Sequence, residues 1–175
     1  MHVNIIHKLM KKIIVVFFLL TVNTIHAQTI INSSKYDSGE IADLASICLK
    51  ILNVDSCIIF IKEMPSIKIR SIAFRSIEVC STVVPEGENV YSVYLAPDQS
   101  YWEYRSSLIH ELIHVSQYHK GELRVLEPGI VEFRGKTIKL QKVPYETRPF
   151  EVEARRMEQG IQYFIRNTLS RQSGG

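Results

Sequence analysis

Residues 100–118 (SYWEYRSSLIHELIHVSQY) form the segment whose pattern allows the fewest structural alternatives. Ser100 is followed three residues later by Glu103, a capping box in which each side chain satisfies a backbone N–H at the start of a helix. Apolar residues then recur at spacings of three and four: Leu108, Ile109, Leu112 and Val115. The segment is therefore predicted to be a helix with a packed apolar face.

Two further helices are predicted on either side of it. Residues 39–52 (GEIADLASICLKIL) repeat apolar side chains at helical spacing. Pro149 suits the first turn of a last helix, because that position needs no N–H donor. The buried stripe of this last helix is predicted to comprise Phe150, Ala154, Met157, Ile161, Phe164 and Ile165.

Strands are predicted where β-branched and aromatic residues cluster. Residues 56–61 (SCIIFI) and 89–95 (NVYSVYL) fit this composition, and residues 66–83 are expected to hold one or two more strands. Breaker residues predict turns at 85–87, 128–129 and 134–136, the last two punctuating a small hairpin. We therefore expect residues 28–175 to form a single α+β domain.

The first 27 residues are interpreted as a secretory signal peptide. Lys11 and Lys12 precede an uncharged, mainly apolar run over residues 13–22, and Ala27 stands before Gln28 at the expected cleavage point. A run of ten residues is too short to cross a bilayer. A buried N-terminal helix or an uncleaved anchor is the alternative. The protein is thus expected to be exported, to the periplasm or out of the cell, without stable membrane insertion after cleavage.

The charge balance of residues 28–175 argues against nucleic acid and anionic lipid as binding partners. The N-terminal segment holds three of the chain's 21 basic residues and no acid, so residues 28–175 carry 18 basic against 18 acidic side chains. Such a neutral chain has no general attraction for nucleic acid or anionic lipid.

The three cysteines, Cys48, Cys57 and Cys80, lack the spacing of a metal knuckle, and we assign them no chemistry.

The predicted middle helix carries the pattern H-E-x-x-H at His110, Glu111 and His114. Residues four apart lie on one face of a helix, so both imidazoles can bind one zinc ion. Glu111 lies beside them, where its carboxylate can take a proton from a metal-bound water. The sequence therefore predicts a Zn²⁺ site on this helix.

A third metal ligand must come from elsewhere in the chain. His119 is nine residues from His110 and would point away from it on a continuous helix, so it is expected at the surface. Glu151 and Glu153 open the last helix, and periodicity leaves both possible. Both could instead simply favour the positive end of the helix dipole.

With these residues the chain resembles the gluzincin zinc peptidases, in which H-E-x-x-H meets a Glu from a second helix, often written E-x-x-A-D or E-x-x-A-N. Glu151 with Ala154 matches that second motif, whereas Arg155 stands where the family prefers Asp or Asn. The resemblance covers residues 100–165. It implies a compact zincin-like domain, a small sheet packed on the H-E-x-x-H helix, and a metal held by His110, His114 and Glu151.

The resemblance also implies an activity, the zinc-dependent hydrolysis of peptide bonds in a protein or peptide substrate. Glu111 would be the general base, and Tyr145 and Arg148 are candidates to stabilise the developing oxyanion. The strand at 89–95 would pair, as an edge strand, with extended substrate backbone. A zinc- or peptide-binding module of the cell envelope with little turnover is the alternative, and the Arg155 departure favours it.

Overall fold

The computed structural model describes residues 28–70 and 76–172. The signal-peptide prediction for residues 1–27 lies outside the described residues. The helices are α1 (Ser38–Ile51), α2 (Tyr101–His119) and α3 (Pro149–Gln172). The strands are β1 (Thr29–Asn32), β2 (Ile58–Glu63), β3 (Ile67–Arg70), β4 (Ser76–Val79), β5 (Ser81–Gly87), β6 (Val90–Leu95), β7 (Leu123–Glu127), β8 (Ile130–Phe133) and β9 (Lys136–Lys139). The predicted α+β class is confirmed.

The main sheet has the strand order β1-β2-β6-β5. β1, β2 and β6 run parallel, and β5 pairs antiparallel with β6. The prediction that residues 89–95 form an edge strand is wrong, because β6 lies between β2 and β5 and both its edges are paired. The edge strand next to α2 is β5, which is joined to β6 by a tight turn.

That turn lies two residues later than the sequence predicts. Pro85 and Gly87 belong to β5, where the pairing register with β6 shifts between them. The turn itself is formed by Glu88 and Asn89, and Asn89 adopts a φ of 57°. Asparagine tolerates this left-handed conformation better than most residues other than glycine, so it can form the turn between β5 and β6.

Helix α2 is the centre of the main core. Its predicted capping box is present, with the Ser100 hydroxyl and the Glu103 carboxylate bonding each other's backbone N–H groups. Every residue from Leu108 to Gln117 is buried, because α1, α3, β5 and β6 all pack around this stretch. Buried polar side chains need hydrogen-bond or charge partners. The stretch contains His110, Glu111, His114 and Gln117, so each of these must find its partner inside the protein.

A smaller sheet of order β7-β8-β9 connects α2 to α3. The sequence predicts one hairpin here, and the structure adds a third strand by turning again at Gly135, which has a φ of 76°. Leu123, Val131, Phe133 and Phe150 form a second apolar cluster beneath this sheet. The cluster holds the first turn of α3 against the sheet and so fixes where α3 begins.

The predicted stripe of α3 is buried or half-buried with one exception. Phe164 is 55% exposed, because it lies at the edge of the stripe set by Ile161 and Ile165, which face α2.

Among the described residues, no helix is long and apolar enough to cross a membrane. Cys48 and Cys57 are buried free thiols, and burial raises their pKa values to about 12 and about 11.

Candidate metal centre and its groove

Two buried histidines of α2 and one buried glutamate of α3 meet in the interior. The Nε2 atoms of His110 and His114 are 3.2 Å apart. The Oε2 atom of Glu151 lies 3.1 Å from Nε2 of His110 and 3.4 Å from Nε2 of His114. The structure thus brings together the three residues that the resemblance implies as metal ligands.

Glu151 and Glu153 have different partners. Phe150 packs into the second apolar cluster at the start of α3, and the next residue, Glu151, points inward. Glu153 faces Arg134 instead and forms an ion pair of 2.8 Å with it. Of the two glutamates that the sequence leaves possible, Glu151 is the one that lies with the histidines.

Two further side chains orient the histidines. Nδ1 of His110 lies 3.2 Å from the Glu158 carboxylate, and Nδ1 of His114 lies 2.8 Å from the amide oxygen of Gln117. Both acceptors require a proton on Nδ1, so in the neutral form of each ring the Nε2 atom carries a lone pair. Neither residue was identified from sequence, although Glu158 lies seven residues after Glu151 and so on the same face of α3.

The arrangement passes a simple test for a metal site. Three atoms that can each offer a lone pair face one another, and they repel unless a cation or a proton lies between them. Ligands about 2.0–2.1 Å from a tetrahedral zinc lie roughly 3.3–3.4 Å apart, close to the separations between these three atoms. The buried group of His110, His114 and Glu151 could hold a metal ion.

The ionisation of the group reflects the same contacts. Burial alone would lower the pKa of His110, but hydrogen bonds to Glu151 and Glu158 outweigh it and raise the pKa to about 9. Burial alone would raise the pKa of Glu151, but its bonds to His110 and His114 bring it down to about 2. Without a metal ion, these shifts favour a protonated His110 beside an ionised Glu151 at neutral pH.

This competition predicts how metal affinity depends on pH. Below about pH 9 a metal ion must displace a proton from His110, whereas Glu151 is already ionised above about pH 2. We expect the apparent zinc affinity to rise about tenfold per pH unit between about pH 6 and 9, and more steeply where His114 is also protonated. Competition titrations against a chromophoric chelator at three pH values measure this slope, and a flat profile would contradict it.

The contact between Glu158 and His110 predicts a second effect. Replacing Glu158 by Ala removes the acceptor that orients the ring, so zinc affinity should fall about 10- to 100-fold although no ligand is lost. The exposed neighbour Gln159→Ala is the control and should bind zinc as the unchanged protein does. Equal affinities of the two variants would show that Glu158 has no orienting role.

Glu111 is completely buried beside the three ligands. Burial raises the pKa of its carboxyl, and the histidines and a hydrogen bond from Ser81 of β5 act in the opposite direction. A carboxylate with a raised pKa is a stronger base than one in water. Glu111 therefore has the placement and the basicity of a proton acceptor at this centre.

Tyr145 and Arg148 precede α3, and both line a cavity that Glu111, His114 and Glu151 also line. The Tyr145 phenol is hydrogen-bonded to Glu151, and burial and the nearby carboxylates raise its pKa, so it remains protonated at neutral pH. The Arg148 guanidinium donates to the backbone carbonyls of Val143 and Leu140 at 3.3 and 3.1 Å and packs over the Tyr145 ring. Tyr145 can thus present a donor to the centre, while Arg148 holds the loop that carries Tyr145.

His119 lies outside the group. It lies half-buried at the last position of α2, and it is not among the described residues that could share the metal. Its spacing of nine residues from His110 places it on the opposite side of the helix, as expected.

Three cavities follow strand β5 and pass the candidate metal centre. The polar cavity, of about 260 Å³, lies on the His110 side and is lined by Ser81, Tyr145, Arg155 and Glu158. The central cavity, of about 280 Å³, is lined by Glu111, His114 and Glu151, with β5 on one side and β7 on the other. The distal cavity, of about 410 Å³, is lined by Pro85 and Gly87 at the end of β5. Together they form a groove along a strand whose seven residues span roughly 23 Å.

The outer edge of β5 offers backbone groups to this groove. The N–H of Ala96 donates to the carbonyl of Cys80, so the hydrogen-bonded pairs of the ladder begin at Cys80 and recur at every second residue. The N–H and C=O groups of Ser81 and Val83 therefore point away from β6. Within the described residues, no strand pairs with this edge.

Comparison with known proteins adds no assignment. No protein-family model, curated protein or solved structure gives a significant match to this chain.

Proposed function

We propose that this protein is an exported zinc metallopeptidase of gluzincin type that hydrolyses peptide bonds in an extended protein or peptide segment. The observation that carries the proposal is the combination of a three-ligand group, an adjacent buried carboxylate and a groove bordered by a free strand edge. A metal group that served only to stabilise the fold would need neither the carboxylate nor the groove.

Zinc suits the donor set of two imidazoles and one carboxylate held by His110, His114 and Glu151, which leaves a position open. When bound there, it supplies a Lewis acid that polarises a carbonyl and lowers the pKa of water. The hydrogen bonds that His110 and His114 donate to Glu158 and Gln117 keep both imidazole rings in the tautomer that binds a cation.

Glu111 moves the protons in the proposed reaction. Its carboxylate takes a proton from the attacking water and then delivers it to the departing amine nitrogen. Burial makes this carboxylate more basic than an exposed glutamate, which suits the first transfer. The protonated Tyr145 phenol donates a hydrogen bond to the carbonyl oxygen as negative charge develops on it.

The free edge of β5 is proposed to bind the substrate backbone by strand addition. Ser81 and Val83 supply the hydrogen-bonding groups, in place of the strand at 89–95 that the sequence indicated. A groove that follows a seven-residue strand favours an extended polypeptide over a small molecule.

If the free edge of β5 binds the substrate backbone, a proline at position 83 should weaken substrate binding. Val83→Pro removes an N–H that points into the groove and takes no part in the ladder with β6. Loss of one such hydrogen bond should raise KM about three- to tenfold. Val83→Ala, which keeps the N–H but loses side-chain contacts, is the matched control. If the two variants raise KM equally, the backbone of Val83 does not bind substrate.

The proposal is tested by incubating the purified protein with casein, an unfolded substrate, and following fragments by mass spectrometry. Zinc-dependent cleavage that stops on adding a chelator and resumes with zinc supports it. Binding of casein without cleavage, in the zinc-loaded protein, would favour the alternative of a peptide-binding module.

A further inference from the structure

Among the described residues, Arg155 is the only Arg or Lys that lines the polar cavity beside the candidate metal centre. It lies on α3 four residues, or about 6 Å of helix rise, after Glu151. The cavity is also lined by Ser81, Ser106, Tyr145 and Glu158. A group bound in this cavity therefore lies next to the bond that the centre would cleave.

The Arg155 guanidinium has few partners within the protein. One nitrogen donates to the backbone carbonyl of Glu146 at 2.5 Å, and the group lies 5.8 Å from the Tyr145 ring centroid. Among the described residues, no carboxylate forms an ion pair with it. Since a guanidinium has five N–H donors in a planar fork, most of its hydrogen-bonding capacity is left for a ligand.

The nearby acid does not use this capacity. The carboxylate of Glu158 is occupied by His110, by the Ser106 hydroxyl and by the Gln162 amide. Glu158 thus performs the orienting role that the gluzincin pattern assigns to an Asp or Asn at position 155. The residue at 155 is consequently free to contact substrate.

We propose that Arg155 binds a carboxylate of the substrate and so directs cleavage to peptide bonds next to one. The carboxylate is either an Asp or Glu side chain or a free C-terminus, because an Arg fork binds both in the same bidentate way. This inference rests on the proposed peptidase function. It adds a charge preference that the metal group alone does not provide.

The test uses synthetic peptides that share one extended casein sequence, each with Glu, Gln or Lys at the same internal position and with a free or amidated C-terminus. Their dissociation constants are measured by fluorescence anisotropy with zinc-loaded Glu111→Gln protein, and their kcat/KM values with active protein. The variants are Arg155→Gln and Arg155→Glu. Arg156→Gln is the matched control, because it removes the same charge from the exposed neighbouring position.

We expect the Glu peptide or the free C-terminus to bind about 10- to 100-fold more tightly than its uncharged counterpart. Whichever of the two shows the preference identifies the source of the carboxylate. Arg155→Gln should abolish the preference, Arg155→Glu should reverse it in favour of Lys, and Arg156→Gln should leave it intact. A reversal cannot arise from loss of the contact with Glu146, which would weaken all peptides alike.

Two results separate this inference from the function on which it rests. Cleavage of all peptides at equal rates, with no change in Arg155→Glu, would overturn the role of Arg155 and leave the peptidase proposal standing. A charge preference that reverses in the binding assay, without cleavage by the active protein, would support the carboxylate site and contradict the peptidase.

Discussion

Peptide hydrolysis by the Glu111→Gln variant is expected to be lower by about a hundredfold to ten-thousandfold, the usual contribution of a positioned general base. The amide has nearly the same shape as the carboxylate but cannot accept a proton. Because Glu111 is not one of the three facing ligand atoms, the variant should keep its metal. Steady-state cleavage of a fluorogenic peptide, with metal content measured on the same sample, checks both statements.

Glu153→Gln is the matched control for this substitution. It removes one carboxylate from the start of α3, where Glu153 pairs with Arg134 away from the centre. We expect close to full activity and metal content in this variant. Loss of activity in Glu153→Gln comparable with that in Glu111→Gln would contradict the assignment of the base.

Removal of the metal is expected to lower the melting temperature by about 10 °C. An ion present at a thousand times its dissociation constant stabilises the folded state by about 4 kcal/mol. In a chain of this size each kcal/mol corresponds to a shift of about 2–4 °C. The physical cause is local, because without a cation three acceptor atoms within 3.4 Å of one another must share a proton instead.

Thermal unfolding with excess chelator, and again after zinc is restored, measures this shift. Glu151→Gln lacks one ligand, so its melting temperature should respond much less to either treatment. If chelation leaves the melting temperature of the unchanged protein where it was, the buried group does not bind metal in solution.

Local signals in the sequence were sufficient for the main elements. The capping box at Ser100 and the apolar spacing after it determine α2, because both act within a few residues along the chain. The same holds for α1 and for the start of α3 at Pro149. The H-E-x-x-H pattern lies on α2, so the facing of its two histidines follows from helix geometry.

Features that depend on tertiary contacts were not predicted. The strand at 89–95 is recognisable by composition, but its inner position follows from pairing with both β2 and β5. The choice of Glu151 over Glu153 depends on Phe150 packing under the small sheet and on Arg134 facing Glu153. Periodicity along α3 carries no information on either contact.

The residues that orient the histidines show the same limit. Glu158 was overlooked because the gluzincin pattern draws attention to position 155, one helical turn too early for this chain. Its spacing of seven from Glu151 is a usable signal once the ligand is known. Gln117, three residues after His114, could have been found by the same reasoning.

The central claim is that the buried group of α2 and α3 holds zinc, and the metal content of the purified protein tests it most directly. Elemental analysis should find about one zinc per chain in the unchanged protein and in Glu153→Gln, and almost none in His114→Ala. Absence of metal from the unchanged protein, even after zinc is offered at neutral pH, or equal content in His114→Ala, would contradict the account.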